Sequence, residues 1–165
     1  MKRTVLTCAL FLAIGVSVMA GALHGPGTNT VPRLVAGIMD GRFTFEGPEA
    51  GPWTTVGDVT GTVRHLGLAK LSTTHTPNAD GTLSDGSFTL VAANGDEVRG
   101  TYEGYGEFTP DGTAVQAHAV LVITGGTGRF ANATGTIGAS FLETFDDPTW
   151  ASAGVSWALV GIINY

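Results

Sequence analysis

The chain has 165 residues, 8 of them basic and 14 acidic, for a net charge of −6 at pH 7. One domain of this length buries about two-thirds of its unfolded surface in a single core. Charged residues are 13%, hydrophobic residues 43%, and 25 are glycine, which excludes a disordered chain and argues against a helical bundle. Glycine costs a helix roughly 1 kcal/mol per site, so the composition points to strands and turns.

Lys2 and Arg3 precede an uncharged run from Thr4 to Ala20, with Val18 and Ala20 in the small-residue spacing that a signal peptidase accepts. Residues 1–20 are therefore expected to be a secretory signal cleaved near Ala20, so that the mature protein is secreted or otherwise extracytoplasmic. The alternative is a retained anchor, since seventeen uncharged residues are at the short limit for a membrane span. Cys8 is the only cysteine, so a mature domain has neither a disulfide nor a thiol nucleophile. Loss of Lys2 and Arg3 leaves six basic residues against fourteen acidic ones, a net charge near −8. Nucleic acid and anionic membrane both need clustered Lys and Arg, and no such cluster occurs.

Residues 21–41 are rich in Gly, Pro, Thr and Asn, which predicts a flexible lead-in that becomes ordered near Leu34 to Met39, with the folded domain over 42–165. A short strand, Arg42 to Glu46, precedes the loop EGPEAGP. Strand-like runs then alternate with turn residues: Thr55 to His65, Leu68 to His75, Leu83 to Ala93, Glu97 to Phe108, Thr113 to Thr124, Thr134 to Phe145 and Ser152 to Tyr165. Asn94-Gly95 suggests a type I′ hairpin, in which both central residues need positive φ. No segment has convincing helical periodicity.

Eight sequential strands joined by short turns either leave two exposed edges or close. Closure removes the edges and encloses a lumen that side chains fill or that holds one small ligand. The expected fold is thus all-β, an eight-stranded antiparallel up-and-down barrel. In the run from Glu97 to Phe108, one phase reads Val98, Gly100, Tyr102, Gly104, Gly106, Phe108 and suits a crowded concave face. The other carries Glu97, Arg99, Glu103, Tyr105 and Glu107 and suits solvent.

The stretch ITGGTGRFANATG, residues 123–135, decides between this barrel and a nucleotide fold. TGGTGRFA after the apolar run AVLVI matches a dinucleotide loop, whose glycines would admit a pyrophosphate at a helix N-terminus. The context excludes it: Asn132 to Gly138 holds β-formers and glycines where a long helix is required, and too little chain remains for a doubly wound sheet. The glycines are expected to turn a corner between two strands.

The same stretch resembles the GGTGRFxxATG segment of the allene oxide cyclase and dirigent barrels and of exported bacterial proteins with that type of barrel. AANGDEVRGTYEG (92–104), RHLG (64–67) and the closing GIINY (161–165) are similar to segments of the bacterial group. The resemblance implies a calycin-like barrel of the allene oxide cyclase type with an apolar cavity, trimeric in the plant members. It carries over no site residue, because these motifs are turn and packing features.

Candidate chemistry rests on few residues. His65 shares a strand phase with Val59, Gly61 and Val63, so it is a candidate lumen base or donor, or else a strand-end histidine bonded to backbone. Tyr102, on the presumed inner phase, is the second catalytic candidate and also a ligand contact, or a core tyrosine with a satisfied hydroxyl. His118 and Phe108 complete the candidate ligand-binding set. Glu103 and Glu107 flank Tyr105 as a solvated face, and Arg129 is expected to pair with a carboxylate or cap carbonyls at the rim. Histidine spacing suits no metal, the Asp-Gly turns lack the ligands of a calcium loop, and no cofactor is expected. The leading expectation is a binding barrel for a small apolar molecule. The alternatives are a cofactor-free isomerase or cyclase in the same cavity and a filled barrel acting as a structural or interaction module.

Overall fold

A computed structural model describes residues 31–47, 53–146 and 151–165. The predicted signal, residues 1–20, lies outside the described residues. Eight strands follow one another: β1 (Pro32–Glu46), β2 (Thr54–Val63), β3 (Gly67–Pro77), β4 (Thr82–Val91), β5 (Glu97–Phe108), β6 (Ala114–Gly126), β7 (Thr134–Phe145) and β8 (Ser152–Asn164). Each pairs antiparallel with the next, and β1 pairs with β8 from Pro32↔Asn164 to Thr44↔Ser152, so the sheet is a closed barrel. The first strand begins at Pro32 and not at Arg42. Residues 32–41, assigned by composition to the lead-in, are wall, because Val35 and Met39 on its inner phase are fully buried and its backbone closes the cylinder onto β8.

Alternation sorts the strands into two faces. Val35, Met39 and Phe43 of β1, Leu121 and Ile123 of β6, and Trp157, Leu159 and Ile163 of β8 point inward and are buried. Tyr102 lies on the inner phase of β5, between neighbours too small to block it, Gly100 and Gly104.

The two ends differ. At the base, the link between β6 and β7 is a single 3-10 turn, Gly128–Phe130, so the glycine stretch turns a corner as its composition requires. It also closes the cylinder. Phe130 is fully buried against Tyr165, with ring centroids 4.7 Å apart, and its carbonyl accepts from the Ala133 N–H. Arg129 spans the rim, donating to the His65 carbonyl at 3.0 Å and pairing with Asp96 at 3.7 Å. The hairpin at Asn94-Gly95 departs from the type I′ expectation. Gly95 alone takes positive φ, 87°, and its N–H bonds the Ala92 carbonyl, giving the longer loop that ends in a left-handed residue.

Candidate functional site

The middle of the lumen is filled by rings. Phe141 stacks on Trp157 at 4.2 Å, and Phe43 meets Phe141, Trp157 and His75 edge-on at 5.8–6.2 Å. Edge-to-face and stacked pairs of this kind add about 0.5–1.5 kcal/mol each beyond their burial, so this layer is a rigid floor.

At the floor's edge and toward the end opposite the 3-10 turn, the inner wall becomes polar. Thr55, Thr73, His75, Tyr102 and Glu143 are all buried there. Backbone geometry brings them together. His75 pairs across β2–β3 with Thr55 and points inward on the phase of Ala69, Leu71 and Thr73, while the β3–β4 register shifts beside it, between Thr74 and Thr76. Tyr102 lies beside a second bulge, between Leu83 and Gly86. The Tyr102 hydroxyl is 2.7 Å from His75 Nδ1, and the Thr73 hydroxyl also reaches the phenol. Glu143 enters from β7, on the phase of Ile137, Ala139 and Phe141.

Burial sets the charge states. Desolvation lowers His75 to about 4, so its imidazole is neutral at pH 7. Desolvation, with the nearby Glu143 charge, raises Tyr102 well above the usual phenol range, so it keeps its proton. Desolvation raises Glu143 to about 7, leaving the carboxyl divided between its acid and its anion near neutrality. It forms no ion pair among the described residues. The hydroxyl of Thr55 and the indole N–H of Trp157 are buried and have no hydrogen-bond partner among the described residues. Above the set, Phe45 and Phe145 are half-buried with centroids 6.1 Å apart, and Phe108 faces Phe145 at 6.2 Å. The arrangement offers an aromatic mouth over proton donors, a neutral imidazole and one titrating carboxyl.

The sequence-derived candidates separate. Tyr102 is in the lumen. His65 is not: β2 ends at Val63, the Leu66 N–H closes a turn onto the Val63 carbonyl, and His65 takes φ 68° on the exposed base rim. Its alternation with Val59, Gly61 and Val63 stops where the strand stops. His118 is on the outer face of β6, opposite Tyr105. With Tyr105, Glu107 and Gln116 it lines an open hollow of about 420 Å³ on the outside of the barrel, and Phe108 joins that hollow from the mouth. Glu143, Thr55, Thr73 and Trp157 carry no motif in the sequence, and His75 is one histidine among four. The signal was their phase, since Glu143 alternates with Phe141 and Phe145, and His75 with Leu71 and Ala69.

Among the described residues, no group of His, Cys, Asp and Glu is placed to hold a metal ion. No protein-family model matches the sequence, nor does any curated protein. Among solved structures, the chain is similar to the pterocarpan synthase dirigent protein GePTS1, at 16% identity and a TM-score of 0.50 over 84% of this chain and 89% of that one. At that identity the likeness concerns the fold: this chain is an all-β, closed, eight-stranded antiparallel barrel of the dirigent-like type.

Proposed function

We propose that the protein is an exported barrel that binds one small, largely apolar molecule in the mouth half of its lumen, with a polar group of that molecule held by Thr55, Tyr102 and Glu143. Export is supported by Lys2, Arg3 and the uncharged run to Ala20. The observation that carries the binding reading is the buried, unpartnered hydroxyl of Thr55 on an inner wall that also holds a buried carboxyl without a cation, toward the end that carries Phe45, Phe108 and Phe145. Buried polar groups are nearly always satisfied, and a guest with one oxygen or nitrogen function supplies the missing partner. The filled middle confines the guest to the mouth and sets its small size.

The test is native mass spectrometry of protein purified from its own culture medium. Expected are a mass lacking residues 1–20 and a retained small molecule released on denaturation. Tyr102→Phe and Glu143→Gln reduce retention about tenfold, the worth of one good buried hydrogen bond. An empty wild-type barrel that takes up no apolar probe at its mouth defeats the binding reading.

A second reading, a cofactor-free isomerase or cyclase in the same place, is favoured by Glu143. A carboxyl near 7 beside a permanently protonated phenol can take a proton from one atom of a bound substrate while the phenol stabilises the charge developing on another.

A further inference from the structure

Lysine and arginine form no run in the sequence, yet the fold gathers several of them at one end. Arg33 enters from the start of β1, Arg64 from the β2–β3 turn and Arg129 from the β6–β7 link, all at the base. The described turns at the mouth carry Asp80, Asp111 and Asp146 and neither Lys nor Arg. Those at the base carry Arg64, His65 and Arg129 against one carboxylate, Asp96. An acidic chain thus has one basic end.

Ion pairing leaves a surplus there. Arg42 pairs with Asp146, Lys70 with Asp58, Arg99 with Glu97 and Arg129 with Asp96, whereas Arg33 and Arg64 have no carboxylate partner among the described residues. Arg64 is exposed, and water suffices for it. Arg33 is different. It is half-buried on the inner phase of β1, opposite Ile163 of β8, and its Nε is buried without a hydrogen-bond partner. Its guanidinium carbon lies 5.0 Å from the centre of the Tyr165 ring, and that of Arg129 lies 5.9 Å from the same ring and 4.6 Å from Phe130. Stacking occupies the face of a guanidinium and leaves its N–H groups, which lie in the plane, for another partner. Buried charge is ordinarily paired and buried donors are ordinarily satisfied, so Arg33 is a held cation that lacks its anion.

We propose that the base of the barrel is a second binding site, where Arg33 holds a phosphate group while Arg64 and Arg129 supply positive potential around it. A phosphate suits the place because its oxygens accept the guanidinium fork in pairs and its charge offsets the surplus left after Asp96 is counted. The glycine link is not the seat of the anion. Asp96 already accepts from the Arg129 N–H, at 3.4 Å, and so occupies that backbone from within the chain. The site is also independent of the mouth, which lies at the other end of the cylinder.

Calorimetric titration of the full chain with inorganic phosphate, at ionic strength held constant with sodium chloride, tests this. The wild type is expected to take up one phosphate per chain. Arg33→Gln weakens binding about tenfold or more, the worth of hydrogen bonds to a charged group. Asp96→Asn keeps an acceptor oxygen but removes the competing charge, and it tightens binding by about two- to fivefold. Arg42→Gln, at the mouth, leaves it unchanged. On the wild type, with no substitution at all, the amide resonances of Arg33, His65 and Arg129 move as phosphate is added and those of Asp80 and Asp111 stay. Vesicles of phosphatidylglycerol, compared with phosphatidylcholine, identify the source of the phosphate. Co-sedimentation that Arg33→Gln abolishes assigns it to a lipid headgroup, and uptake of free phosphate without co-sedimentation assigns it to a soluble molecule. A wild type that binds neither overturns the proposal. So does a folded Arg33→Gln protein that binds as the wild type does, or phosphate shifts that spare the base.

Discussion

Glu143 and His75 are each buried in the form that costs least, and their penalties run in opposite directions with pH. The Glu143 carboxyl rises from 4.5 to about 7 on folding, so the folded state holds its proton more tightly. Its favourable contribution is complete below 4.5 and is lost as pH climbs through 7, a swing of roughly 3 kcal/mol. His75 falls from 6.5 to about 4, so its contribution is complete above 6.5 and is lost as pH drops through 4. Between about 4.5 and 6.5 the slopes cancel. Urea denaturation across that window is therefore nearly flat for the wild type. Glu143→Gln makes stability rise with pH over the same window, and His75→Asn makes it fall. The sequence concealed this pair because a lone carboxylate or histidine near a strand end reads as solvated. Only the phase it shares with Phe141 or Leu71 betrays its direction.

Among the elements, the link between β6 and β7 performs two tasks. It reverses the chain, and it lowers Phe130 into the base of the barrel. Gly128 makes this geometry available, with φ 54° and with a Cβ position only 1.9 Å from the Asp96 carboxylate. Gly128→Ala is expected to cost about 1–3 kcal/mol and lower Tm by about 3–9 °C. Phe130→Ala costs about 3–5 kcal/mol by leaving a void beneath Tyr165, measurable by chemical denaturation. The corner was legible from the glycines and the poor helix formers after it. The aromatic plug was not, since Phe130 packs against Tyr165, which is distant in sequence. Nor was the start of β1. Gly37 and Gly41, which composition counts as flexible, are interior wall positions where the neighbouring strand comes too near for a side chain.

For the molecule as a whole, closure rests on the pairing of the first strand with the last. Hairpins form locally, but the final seam joins the two ends of the domain and pays its loop entropy late. Refolding followed by stopped-flow fluorescence of Trp157 and its neighbours is expected to be slow, in milliseconds to seconds. Deletion of residues 152–165 leaves β1 and β7 as bare edges and abolishes cooperative unfolding altogether. The barrel was legible because alternation and turn residues act locally and agree with one another along the chain.

With Phe130 stoppering its base and the rings of Phe43, His75, Phe141 and Trp157 plugging its waist, the cylinder has one blind end. On the proposed binding reading, a guest that goes in head first comes out tail first, by the way it arrived, with the far end of its tail toward solvent. A dye or bead tethered to that tail is then expected to leave binding unhindered, whereas the same tether fixed to the head is expected to block entry.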